Sequence, residues 1–136
     1  MQTIQQQRAK YALEQVQDAI ERKVSPKEYK SYASSLPAMI HMNGLGQAAA
    51  FFKSKGAKGD AHGDLYNLLS GWLCQSGQPY AGCHNLLEGI TTRDMHTYRL
   101  AQAEAQALMD WVKKFAKAFM IDEDKANTNT NTGEAA

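Results

Sequence analysis

Any chemistry in this chain would have to come from a few side chains. Two cysteines, Cys74 and Cys83, lie nine positions apart, and the four histidines are scattered at 41, 62, 84 and 96. A zinc site calls for ligand spacing such as C-x-x-C or H-E-x-x-H, which none of these positions offers. A di-iron bundle needs paired E-x-x-H motifs, but Glu14, Glu28, Glu88 and Glu104 are followed three residues on by Gln17, Ser31, Thr91 and Ala107. A helical ribonuclease built on a spaced Arg–His pair has only Arg93 and His96 to draw on, and the two residues between them read as helix-start chemistry. Gly44-Leu45-Gly46 lacks the further Gly, the Lys-Ser/Thr and the preceding strand of a phosphate loop. The sequence therefore predicts no catalytic residue, no metal and no cofactor, with structural histidines and free buried thiols.

What remains is basic surface. On a helical wheel, Arg99, Lys113 and Lys117 fall on one flank of a long C-terminal helix with Lys114 just beyond, turned from its apolar stripe and suited to phosphates. The plainer reading is a solvated face in which Asp110 pairs with Lys113 and Lys114 at i+3 and i+4. In the first helix Arg8, Tyr11, Gln15 and Arg22 share an edge, joining phosphate-binding and base-stacking types; rim packing explains Tyr11 equally well. Lys53, Lys55 and Lys58 stand where a helix dissolves into Gly-rich loop, where the helix dipole alone would also favour cations.

The elements that carry these residues read as helices throughout. Over residues 3–23, Ala9, Ala12, Leu13, Val16, Ala19 and Ile20 gather on one face. Ser25-Pro26-Lys27-Glu28 is a restart signal, with Ser25 as N-cap, Pro26 at the first helical position and Glu28 closing a capping box. The second helix runs toward Met42, and Pro37 inside it predicts a kink or break near Ser35. Asn43-Gly44 supplies a turn. A third helix follows over 45–54, where Leu45, Ala48, Ala49 and Phe52 recur at i, i+3, i+4 and i+7 with two small residues for close helix approach. A fourth, over 60–75, buries Leu65, Leu68, Leu69, Trp72 and Leu73 and is ended by Gly77 and Pro79. The last and longest starts after a Thr91 or Thr92 cap and runs to about Met120. Its stripe of Met95, Tyr98, Ala101, Ala105, Leu108, Met109, Val112, Phe115, Ala116 and Phe119 offers a surface on which every other helix can pack. No alternating strand pattern or internal repeat is evident. The expectation is an all-α, compact single-domain bundle of five or six helices over 1–121, with a disordered tail over 122–136 that holds no large apolar residue.

The run Leu36-Pro37-Ala38-Met39-Ile40-His41-Met42-Asn43-Gly44-Leu45-Gly46-Gln47 resembles the Leu-Pro-x-Met-Ile-x-x-Asn-Gly-Leu-Gly-Gln block of the small, all-helical subunit family of the type III-B CRISPR effector, the Cmr complex. Tyr98-Arg99-Leu100, Glu104-Ala105, Leu108 and Trp111-Val112-Lys113-Lys114-Phe115-Ala116 stand as that family's second block does, and Gln7-Arg8-Ala9-Lys10-Tyr11-Ala12-Leu13 looks like its opening. The resemblance covers most of residues 1–120. It is weaker over 77–91 and absent after Ile121.

The resemblance implies a non-catalytic structural subunit in antiviral defence. Copies of it would stack beside the guide-bearing backbone and form a groove for target RNA, with other subunits of the effector, copies of itself, guide RNA and target RNA as partners. It also shifts the basic residues Arg8, Lys53, Lys55, Lys58, Arg99, Lys113, Lys114 and Lys117 toward RNA contact. The rival readings are a pure protein–protein spacer without RNA contact and an undetected helical nuclease. Composition fits one cytoplasmic domain. The length supports a single core, no apolar run approaches a membrane span, and no secretory leader precedes the first helix. The net charge of +1 conceals a body of 14 basic and 10 acidic side chains over 1–121 and a tail of net −3. An inert terminus is the plainer reading of that tail.

Overall fold

The computed structural model describes residues 1–56 and 60–121. Five helices follow in order: α1 (Ile4–Glu21), α2 (Pro26–Lys55), α3 (Ala61–Leu73), α4 (Leu86–Thr92) and α5 (Met95–Phe119). No strand occurs among the described residues. Lys58 and the tail over 122–136 lie outside them.

Each helix begins where a side chain can accept a free backbone N–H. Thr3 and Gln6 form a reciprocal capping box at the start of α1. Ser25 Oγ accepts from Glu28 N–H with Pro26 at the first helical position of α2. Asp60 caps α3 and Asn85 caps α4. The cap of α5 is Asp94, not Thr91 or Thr92: those two hydroxyls instead donate back to the carbonyls of Leu87 and Glu88 and close α4. Helix α1 ends in a Schellman turn, with Val24 N–H reaching Ala19 O, Lys23 N–H reaching Ile20 O, and Lys23 at φ 61°.

The break in α2 is not at Ser35. Residues around Pro37 keep helical dihedrals, and the interruption falls at Gly44, with φ 87° and ψ 157°. Proline removes one hydrogen bond but its fixed φ is itself helical. Gly44 occupies a region that side chains exclude, so the chain turns there. The residues after it form the C-terminal third of α2, burying Leu45, Ala48, Ala49 and Phe52.

Helix α5 is the spine, with α1 and α2 packed along it while α3 packs mainly on α2. Its central stripe, Ala101, Ala105, Leu108, Met109, Val112 and Ala116, is buried, whereas Met95 and Phe119 at its ends are exposed. In α1 the buried face narrows to Ala12, Val16 and Ala19, leaving Ile20 exposed. Gly56 sits so close to Gly63 that a Cβ would meet its backbone at 2.4 Å, which brings the end of α2 against the start of α3. Helix α4, unrecognised in the sequence, is tied to α3 by Leu86 N–H donating to Ser70 Oγ at 3.0 Å.

Candidate nucleic-acid interface

The turn at Gly44 frees two backbone N–H groups, and α5 captures both. Leu45 N–H donates to Gln102 Oε1 at 2.9 Å, and Gly46 N–H donates to Tyr98 Oη at 2.8 Å. One turn further along α5, Gln106 Nε2 donates to Pro37 O at 2.9 Å. Rising numbers on α5 thus meet falling numbers on α2, so the helices are antiparallel with a register fixed by three polar bonds. Asn43 and Gly44 supply the turn, and Gly46 leaves room for Tyr98 and Ile90 at its Cα.

That register assembles a basic strip. Counted on from the Gln106–Pro37 bond at the helical rise, Lys113 of α5 falls at the axial level of Lys30 of α2, and Lys117 at about that of Lys27 near the helix start. The flank of α5 carrying Gln102 and Gln106 continues outward to Arg99, Lys113 and Lys117. The flank of α2 carrying Pro37 continues to Lys30, His41 and Lys27. Lys27, His41, Arg99, Lys113, Lys114 and Lys117 are exposed and Lys30 is half-buried. From Arg99 to Lys117 the strip runs about 27 Å at the helical rise, long enough for several consecutive phosphates. Asp110 is the acid on its α5 side. The ion pairs among the described residues, Arg8–Glu104, Arg22–Asp18, Arg22–Asp64 and His62–Asp60, include none of these cations, so Lys113 and Lys114 are not paired with Asp110. Lys27, Lys30 and His41 were missed in the sequence because nothing local says which helix lies beside them.

Lys53 and Lys55 are exposed in the last turn of α2, at the opposite end of that helix from Lys27 and Lys30. The Lys53 ammonium sits 5.3 Å from the centre of the Tyr66 ring and that of Lys55 5.8 Å from Phe51, each a cation–π contact. They form a separate basic spot.

Arg8 leaves the phosphate-contact set. Its Nε and Nη2 donate to the Glu104 carboxylate at 2.5 and 2.9 Å, with the two side chains only 15% and 12% exposed. The same carboxylate accepts from Trp72 Nε1 at 3.1 Å. Tyr11 packs on Trp72 with ring centres 4.9 Å apart and donates to Leu68 O at 2.7 Å, and burial pushes its phenol up to about 12. Arg22 bridges Asp18 and Asp64. The α1 edge that paired stacking and phosphate-binding types is therefore a seam joining α1 to α3 and α5. A wheel gives the angle of Arg8 but not the carboxylate waiting on another helix.

The remaining titratable groups are absorbed by packing or dispersed. The His62 ring stacks on Tyr32 with centroids 3.8 Å apart, meets Phe52 edge-on, and places Nδ1 3.2 Å from Asp60 Oδ1. Among the described residues no three His, Cys, Asp or Glu side chains gather where they could hold a metal ion, and no helix is long and apolar enough to cross a membrane.

Comparison with known proteins puts this arrangement in context. Residues 4–119 match the family described as CRISPR-associated protein (Cas_Cmr5). The chain is similar to the CRISPR system Cmr subunit Cmr5 of Thermus thermophilus, with 32% identity over 123 residues that span 90% of this chain and 100% of the relative. It is also similar to the X-ray crystal structure of a CRISPR-associated Cmr5 family protein from Thermus thermophilus, at a TM-score of 0.64 and 27% identity, covering 88% of this chain and 100% of that one.

Proposed function

Because the chain belongs to the Cmr5 family, as the small subunit of a type III-B CRISPR Cmr complex, we propose that it is a non-catalytic cytoplasmic subunit in antiviral defence, and that its α2/α5 strip holds target RNA against the guide. Copies stack along the complex, and chemistry belongs to other subunits. The observation that carries the RNA reading is the strip itself, with cations from two helices in one register and without an ion-pair partner among the described residues. Its role is positional: side chains that contact phosphate set register without reading sequence, and guide pairing does the reading. Of the cations picked out by sequence, Arg99, Lys113, Lys114 and Lys117 belong to it, joined by Lys27, Lys30 and His41. Lys53 and Lys55 form a subsidiary contact at the far end of α2.

The test uses the assembled complex with guide and target. Lys113→Ala with Lys117→Ala, and separately Lys27→Ala with Lys30→Ala, weakens target retention similarly for all sequences. The salt dependence of binding flattens by about 0.7 per lost single-strand contact. Assembly survives, because these side chains point away from the core. The control is Ala49→Trp at a site only 1% exposed, where an inserted ring overpacks the core by ~1–3 kcal/mol and reduces incorporation instead. Charge variants that fail to assemble while RNA affinity per complex is unchanged would make these cations protein-interface residues. Exposed Met42, beside a groove lined by Met39, Asn43, Gln47 and Phe51 on α2, favours that spacer reading for the outer face of α2.

A further inference from the structure

The chain leaves α5 in a direction that matters for the basic strip. Met120, the C-cap, is extended at φ −92° and ψ 112° and is 2% exposed, so the backbone turns inward after Phe119. It turns toward the α1–α2 junction, where Met120 and Ile121 share a groove with Ile20, Lys23, Val24 and Pro26. Ile121 is 68% exposed at the lip. The next three residues are Asp122, Glu123 and Asp124. The described chain therefore ends in a groove shared with Lys23 and Pro26, next to the start of α2 that carries Lys27, and the acidic residues follow directly in sequence.

We propose that this acidic segment docks back across the end of the α2/α5 strip, onto Lys23, Lys27, Lys113 and Lys117, and so acts as a built-in competitor that a polyanion must displace. Reach permits it. Three extended residues span ~10 Å, while Lys117 lies about 6 Å and Lys113 about 12 Å back along the axis of α5 from Ile121. Charge complementarity selects it, since the acids follow directly on the groove and the cations opposite have no ion-pair partner among the described residues. The family match stops at residue 119, before the acidic residues. The competition rests on the RNA reading above. The docking does not.

Two measurements on the full chain separate these parts. The first compares backbone amide shifts of the isotope-labelled protein with those of the Asp122→Asn, Glu123→Gln, Asp124→Asn variant, without nucleic acid. Shifts confined to Lys23, Lys27, Lys113, Lys117 and their neighbours, vanishing near 0.5 M salt as the Debye length shrinks to a few ångströms, support docking. Unchanged amides there overturn the proposal whatever RNA does. The second titrates both proteins with a polyuridine of about 20 nucleotides at low salt. The neutralised variant binds about three- to tenfold tighter, as expected for a few exposed ion pairs, and the gain closes at high salt. Equal affinities in the presence of the docking shifts overturn the competition. If Lys113→Ala with Lys117→Ala leaves polyuridine affinity unmoved as well, the RNA reading fails while the docking stands.

Discussion

Gly44→Ala is the sharpest probe of how α2 is built. The glycine lies at φ 87° and ψ 157°, a region nearly closed to side chains, where strain costs on the order of 1–3 kcal/mol. A Cβ there would stand 2.9 Å from Tyr98 Oη, the atom that accepts the Gly46 N–H at 2.8 Å. Moving the phenol aside weakens that bond, at about 1 kcal/mol. The expected total is about 2–4 kcal/mol, or a melting-temperature fall on the order of 10 °C for a domain of this size. Thermal and urea unfolding followed by far-ultraviolet circular dichroism would measure it. Tyr98→Phe separates the two parts: with the hydroxyl gone the steric contact is relieved while the backbone strain persists, so the double variant should cost about 1 kcal/mol less than the sum of the singles. Strict additivity would show that the hydroxyl and the glycine are not coupled. A cost for Gly44→Ala below about 0.5 kcal/mol would refute the strained turn altogether.

The Arg8–Glu104 pair is shielded enough for its loss to matter, so Arg8→Ala should destabilise by about 1–3 kcal/mol, and Arg8→Lys should recover little because one ammonium cannot reproduce the two-point contact; denaturation midpoints decide it. Tyr80 Oη is buried and finds no hydrogen-bonding partner among the described residues, so Tyr80→Phe should be neutral or stabilising by up to about 1 kcal/mol, whereas Gly89→Ala, whose Cβ would meet the Tyr80 ring at 2.4 Å, should destabilise clearly in the same assay. Burial raises the phenols of Tyr11 and Tyr80 to about 12 and that of Tyr29 as well. Folding therefore favours their protonated form, and the associated stability is complete below the ordinary tyrosine value near 10 and is lost as pH rises through it toward about 12. Ultraviolet titration should show these three ionising late, together with alkaline unfolding. Full phenolate absorbance near pH 10 in a still-helical protein would contradict their burial.

Helical period and capping chemistry were enough to locate most of the fold. Leu45, Ala48, Ala49 and Phe52 are buried as their spacing requires, and Ser25-Pro26 starts α2, because both signals are local to a few turns of chain. The family block was legible for the same reason, being a contiguous string, although its meaning was not: Asn43-Gly44-Leu45-Gly46 frees two N–H groups whose acceptors, Gln102 and Tyr98, lie more than fifty residues away. Helix α4 escaped because one short helix among Gly and Pro carries too few turns to show a period, and it is held by Ser70 of another element. Pro37 does not break α2, since proline lacks one donor but suits helical φ, while Gly44 is the residue inside α2 whose dihedrals leave the helical region. The basic residues divide on the same line. Composition and wheel angles showed that Arg8 and Lys113 each stand at the edge of an apolar face. Only packing decided that the edge of Arg8 closes on Glu104 while that of Lys113 stays exposed, because an angle on one helix does not reveal which side chains a second helix brings to meet it.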